Sequence, residues 1–306
     1  ASQFPVNQTR SYARWGHYER AKSRSNYHIL IGHKAKMLQL SEDLNAEGVS
    51  IFDRESSTNL TINAKLEIIL AAGATHTLQL LHLSGIGPRE ILDQAGIRVR
   101  VDLPGVGQNM QDHPQMGYSC VCSTHHSAAR VALLGPGTDH INSGPLTLAL
   151  TNQGAFLPLR TVNPGYRDFI SKPTSDPVVE FRTFSNPLDM QQAISFIRYT
   201  RKYTNGPGLA DLRPRESGPG ENVTSDAGIE KYIWNVTYPI SFHISGTASM
   251  VPKELGGVVG SDLKVYGVKG LRVVDTSLFP LIPATHLTAT VYAVAEKAAD
   301  IIKMAL

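Results

Sequence analysis

The sequence predicts a mixed fold of α/β and α+β character. Three observations carry this expectation. Short strand-like runs alternate with helical runs between residues 26 and 109. A mainly apolar run, 271–274, ends at Asp275 and fits a buried strand. From 288 to 303, apolar residues recur at Val291, Val294, Ala295, Ala298, Ile301 and Ile302, the spacing of one buried helical face. Glu296, Lys297, Asp300 and Lys303 fall on the other side of that helix, and Thr285 and Thr288 are its candidate N-caps.

In chain order, Arg10, Arg14, Arg20, Lys22 and Arg24 are interleaved with Tyr12, Trp15 and Tyr18, which predicts a surface helix with one aromatic face. Tyr27, Ile29 and Ile31 alternate, so a strand is expected from Asn26. Residues 48–51 and 60–62 read as further strands around a turn-rich 53–59. Residues 66–70 are apolar apart from Glu67 and predict a buried strand leading to Gly73. A helix is expected over 76–83 with Thr77 as its cap, closing at Ser84-Gly85. Gly87-Pro88 opens a second, short helix, with proline at its first position and Gly96 beyond its end. Residues 102–109 form a tight loop.

Cys120 and Cys122 sit two apart on an expected strand; a disulfide between them would be strained, so buried free thiols are expected. Residues 128–138 are small and apolar, 144–156 are loop- and strand-like, and 177–182 read as a strand. Residues 189–203 have helical spacing through Ala193, Ile194, Ile197 and Tyr203. Gly206-Pro207-Gly208 and Gly218-Pro219-Gly220 are loops.

Composition bounds the function. The 306 residues suffice for one large domain or two. A net charge of +3 without a basic stripe gives nucleic-acid binding no support. No apolar stretch reaches the roughly 18 residues of a membrane span, and no signal peptide is visible at Ala1. Four Asn-x-Thr sequons, at Asn7, Asn59, Asn222 and Asn235, predict a secreted protein with glycans on exposed loops.

The last quarter carries the chemistry. It reads His243-Ile244-Ser245-Gly246-Thr247, then Met250-Val251-Pro252-Lys253-Glu254, Gly256-Gly257-Val258-Val259, Val265-Tyr266-Gly267-Val268, Leu271-Arg272-Val273-Val274-Asp275 and a turn at His286. These pieces, in register over about sixty residues, resemble the C-terminal segment of the glucose-methanol-choline (GMC) oxidoreductases. Ala71-Ala72-Gly73-Ala74, Thr77 and Ser84-Gly85-Ile86-Gly87-Pro88 resemble the family's second signature, with Leu78 where proline is usual. Residues 102–114 resemble a family loop that closes on an Asp-His pair, here Asp112-His113.

The resemblance implies three segments. Residues 1–115 would be part of an FAD-binding domain, and 116–241 a substrate-binding domain with an antiparallel sheet backed by helices. Residues 242–306 would return to the FAD-binding domain with both site histidines. The family opens with a Gly-x-Gly-x-x-Gly turn that lets the backbone approach the FAD pyrophosphate. The sequence contains no such turn. The resemblance therefore covers the later half of a family member, and an N-terminal fragment or chain completing the FAD-binding domain is the expected partner.

The resemblance makes His243 the catalytic base and gives His286 the family's second site position. The two are expected to face each other across a ligand. Ala35 takes the position that contacts the adenine, and Asp275 a place near the ribityl chain. Leu287 and Thr288 would offer backbone N–H groups to the flavin, where the positive end of the helix suits an electron-rich ring. His17, His28, His33, His82, His125, His126 and His140 read as structural. The implied activity is FAD-dependent oxidation of an alcohol, such as a sugar hydroxyl, with hydride transfer to flavin. Two readings stand beside it: a redox-neutral lyase, isomerase or cyclase using the same histidines, and an inactive or binding remnant.

Overall fold

The computed structural model describes residues 12–122, 183–284 and 286–305. The expectations for 128–138, 144–156 and 177–182, and those on Asn7 and Thr285, lie outside the described residues.

At the start, a helical turn at Arg14–Tyr18 continues into α1 (Glu19–Ala21), and neither buries a residue. The chain then runs over 27–31 without a strand, which corrects the expectation of one from Asn26. The alternating Tyr27, Ile29 and Ile31 pair with no strand among the described residues, and Ile31 is 84% exposed. Pairing begins at β1 (His33–Leu40), which joins β2 (Ala46–Asp53) and β3 (Asn59–Asn63) in an antiparallel sheet. Ala35 opposes Ile51 and Leu38 opposes Val49. Leu38 turns into the core while Ala35 stays exposed.

β4 (Ile68–Leu70) pairs in parallel with β9 (Leu271–Val273), so the last quarter of the chain is threaded beside the first. β4 is buried on one face only: Ile68 and Leu70 point inward, and Ile69 is 44% exposed. The expected buried strand over 66–70 is thus shorter, beginning at Ile68, and buried on one face. In β9, the buried Arg272 is held by Glu67 at 2.7 Å and by the Asp262 carbonyl. A buried guanidinium needs such partners, because its desolvation is otherwise uncompensated.

α2 (Gly73–Leu83) begins three residues earlier than expected, and Thr77 lies inside it rather than capping it. Ala72 offers no side-chain cap. Gly73 instead donates its N–H to Asp275 Oδ2 at 2.9 Å, so the cap comes from 202 residues away. The next helix, α3 (Arg89–Gln94), repeats the device: Pro88 lies just before it, and Arg89 N–H is received by Asp102 Oδ1 at 3.1 Å. Between them, β5 (Ile86–Gly87) pairs in parallel with β6 (Val101–Asp102). Gly85, at φ +77°, is needed here, since a Cβ would stand 2.4 Å from the Arg98 carbonyl.

A first apolar core joins these elements to the chain after residue 247, with Leu81, Ile86, Leu103, Val258, Leu271, Val273 and Leu278 all nearly or fully buried. A second core is separate in its residues. It forms between α4 (Pro187–Thr204) and α5 (Asp226–Val236) through Met190, Ala193, Ile197, Ile229 and Ile233. Asn186 caps α4 and Ser225 caps α5 through their side-chain oxygens. An antiparallel pair, β7 (Ser119–Cys122) and β8 (Pro214–Gly218), lies with them, tied to α4 by the two-pronged Arg201–Glu216 bond at 2.8 Å. Cys120 forms no disulfide among the described residues and is half-buried, not fully buried as expected.

The terminal helix, α6 (Thr288–Met304), has the predicted length. Leu287 stands at its N-cap with no side-chain cap, so Thr288 belongs to the helix rather than to its cap. Of the predicted stripe only Ala298 is fully buried; Val291, Val294 and Ile301 pack partly against the core, and Ala295 is exposed. No helix among the described residues is long and apolar enough to cross a membrane.

Candidate active site

The loop after β6 and the segment after α5 are zipped together before either reaches the site. Gln111 and Ser245 exchange backbone hydrogen bonds at 3.0 and 2.9 Å. Gly246, at φ +84°, lets this approach happen, because a Cβ there would sit 2.1 Å from the Asn109 carbonyl oxygen. That is the physical reason for the glycine three residues after His243. Thr247 anchors the same segment by donating its hydroxyl to the Ala74 carbonyl of α2.

Asp112 locks the two loops. Its Oδ1 accepts the backbone N–H groups of His113 at 2.7 Å, His243 at 3.1 Å and Ser241 at 3.3 Å. Oδ2 is buried without a hydrogen-bond partner. Burial raises the Asp112 pKa above the usual carboxylate value, opposed by those three donors. Phe242, just before His243, is held at φ +58° and is 87% exposed. A bulky residue in the left-handed region is strained, and here the strain sits next to the site.

Three imidazoles meet on this frame. His243 Nδ1 lies 2.9 Å from His113 Nδ1, and His243 Nε2 lies 3.4 Å from His286 Nδ1. The ring centroids are 5.1 and 5.3 Å apart, with near-perpendicular planes. His243 and His286 thus come within 3.4 Å of each other, as two groups that serve one ligand must. His113 is buried and His286 exposed. The His243 pKa is lowered, first by burial and then by the neighbouring charges of His113 and His286. A neutral imidazole at neutral pH is the form that can accept a proton.

The other predicted residues fall into different places. Leu287, buried, and Thr288, exposed, lie directly after His286 at the start of α6. Asp275 is buried in a separate network. Its Oδ2 receives Gly73 N–H and the Thr77 hydroxyl at 2.6 Å, and its Oδ1 receives the N–H and hydroxyl of Ser277. Its carboxylate thereby ties the end of β9 to the start of α2. Ala35 lies on the exposed face of β1. A cleft of about 850 Å³, lined by Arg89, Asp102, Pro104, Asn109, Ser249 and Pro280 among others, contains none of the predicted site residues. The histidine cluster is the better candidate, because three imidazoles converge there.

Sequence reasoning left His113 without a role. Its only signal was the Asp-His pair closing the loop after β6, and 130 residues separate it from the ring it touches.

Comparison with known proteins converges on one family. Two family models described as GMC oxidoreductase match residues 6–115 and 166–295, together most of the chain. The dehydrogenase xptC of Emericella nidulans is 31% identical, over 96% of this chain and 61% of that protein. An FAD-dependent oxidoreductase from Chaetomium thermophilum superposes with a TM-score of 0.78 at 31% identity, over 97% of this chain and 65% of that one. A fungal aryl-alcohol oxidase superposes with a TM-score of 0.81 at 30% identity, over 99% and 65%. The chain spans about three fifths of the length of the curated relatives it matches. With both family models matched, and the segment of His243 and His286 falling within the second, this chain belongs to the GMC oxidoreductase family.

Proposed function

We propose that this chain supplies the acid–base side of an FAD-dependent oxidation of an alcohol. The observation that carries the reading is the contact of His243 Nε2 with His286 Nδ1 just ahead of the first turn of α6. FAD, when bound, supplies the acceptor for the hydrogen and electron pair that leave the carbinol carbon. The start of α6 fits the flavin ring: no side chain caps it, and Leu287 and Thr288 can turn backbone N–H groups to an electron-rich edge. Ala35 is assigned to the adenine end and Asp275 to the ribityl side, the latter through its backbone because its carboxylate is engaged within the protein. The pyrophosphate cradle is assigned to a further segment or chain completing the FAD-binding domain.

His243 Nε2 takes the hydroxyl proton of the substrate, a contribution of roughly 10²–10⁴-fold. His286 donates a hydrogen bond to the same oxygen and fixes its orientation. Two hydrogen bonds of about 2.8 Å to one oxygen need the two nitrogens about 4.5 Å apart. His286, exposed and on a turn, is the ring that shifts by about 1 Å to admit the substrate. Residues 116–241 are assigned to substrate binding. Three of the four sequons, at Asn59, Asn222 and Asn235, are exposed, which supports a secreted glycoprotein, although Asn59 opens β3 and Asn235 lies on α5 rather than on the expected loops.

The test is optical. Purified protein carrying FAD absorbs in the visible, and anaerobic addition of a substrate alcohol abolishes the oxidised-flavin band. Aryl alcohols, choline and sugars are the first set to try. A band that persists while the alcohol is isomerised or cleaved would instead favour the redox-neutral lyase, isomerase or cyclase.

A further inference from the structure

We infer that His113 is a positioning residue that sets the tautomer of His243, accepting the His243 Nδ1 proton so that the lone pair stands on Nε2. The inference rests on the proposed role of His243 as base. The geometry supplies the rest. The two Nδ1 atoms are 2.9 Å apart, so one proton lies between them and one ring must donate. Nδ1 of His243 is closed off by the buried His113, whereas Nε2 faces the exposed His286. A substrate proton can therefore arrive only at Nε2, and Nε2 must be unprotonated beforehand. That puts the His243 proton on Nδ1 and makes His113 Nδ1 the acceptor.

The frame is built to hold this contact. One oxygen of Asp112 receives the backbone N–H of both His113 and His243, so the two main-chain positions that carry the rings are held together. When His243 gains its second proton at Nε2, its Nδ1–H becomes a charge-assisted donor to the same His113 nitrogen, and that bond strengthens. The arrangement follows the general rule that the partner of one imidazole nitrogen decides what the other can do.

The test is ¹⁵N NMR of the protein labelled at histidine, at a pH where His243 is neutral, with signals assigned by His113→Asn, His243→Gln and His286→Gln variants. The expected spectrum shows His243 Nδ1 as a protonated, pyrrole-type nitrogen and Nε2 as an unprotonated, pyridine-type one. His113→Asn, whose amide oxygen can still accept, should keep that tautomer. His113→Leu should shift His243 toward the Nε2–H form and lower kcat with little change in KM. An unaltered protein with the proton on Nε2 overturns the inference, as does a His113→Leu protein that keeps the Nδ1–H form. The tautomer is read without turnover, so a failure of His243 as base, seen as near-normal turnover in a His243→Gln variant, is distinguished from a failure of His113 as its acceptor.

Discussion

Protonation of His82 should be a main source of acid sensitivity in this fold. The ring lies on α2, 1% exposed, against Gly87 and Gly107, and a Cβ at Gly87 would stand 2.5 Å from its Cδ2. Neither ring nitrogen meets a well-formed hydrogen bond, and the nearby Val106 backbone offsets little of the burial. Burial pushes the pKa down from 6.5 to about 3. With a folded value below the unfolded one, the unfolded chain binds the extra proton first. Stability is therefore whole above pH 6.5 and falls as the pH drops toward 3. The loss is about 1.4 kcal/mol per pH unit below 6.5, or about 2 kcal/mol by pH 5. His82→Leu removes the titrating group and keeps an apolar side chain of similar reach. Urea unfolding of both proteins at pH 8, 7, 6 and 5 gives the comparison. Any packing difference is the same at every pH, so only the pH-dependent part counts. The variant should gain about 2 kcal/mol relative to the parent between pH 8 and pH 5. A difference that stays constant within about 0.5 kcal/mol would refute the reasoning, because His82 would then have found a proton partner or solvent.

Three further outcomes are expected. Asp112→Asn keeps an oxygen for the three N–H donors and should lose no more than about 1 kcal/mol, whereas Asp112→Ala leaves them unmet and should lose about 2–4 kcal/mol in the same unfolding assay; equal losses would contradict the lock. Gly246→Ala adds a Cβ 2.1 Å from a carbonyl oxygen at φ +84° and should destabilise by at least about 2 kcal/mol, with a loss below about 0.5 kcal/mol counting against that close approach. The lowered pKa of His243 means that kcat/KM for alcohol oxidation should stay level down to the ordinary imidazole value near 6.5 and decline only below it. A decline beginning above pH 7 would show that some other group, or a raised His243, governs the rate.

Where pattern and fold agreed, the cause was local. The periodicity of 288–303 gave a helix of the right length, because a run of helix-forming residues with one apolar face decides its own conformation. The strands around 48–51 and 60–62 were legible from alternation and an intervening turn, which are also local. Helix starts were not. Thr77 and Thr288 looked like caps, but α2 is capped by Asp275 and α3 by Asp102, partners that only the folded chain brings near. The alternation of Tyr27, Ile29 and Ile31 misled for the opposite reason, since a strand needs a neighbour and this segment has none among the described residues.

The site divides in the same way. The meeting of His243 with His286 was expected because the motifs around both matched a family pattern. The role proposed for His113 rests on an Asp112 oxygen that gathers N–H groups from two distant loops, of which the sequence shows only the adjacent Asp112-His113 pair. Asp275 was singled out as a ligand contact, and the structure adds a structural use, the tie between β9 and α2.

The proton-accepting role of His243 is tested most directly by rapid mixing of flavin-loaded protein with an oxidisable alcohol under anaerobic conditions, following the disappearance of the oxidised-flavin band. His243→Ala should slow that bleaching by about 10²–10⁴-fold while leaving the bound-flavin spectrum unchanged before mixing. Bleaching within a few-fold of the unaltered protein would mean that the alcohol loses its proton elsewhere, and that the three-histidine cluster serves another purpose.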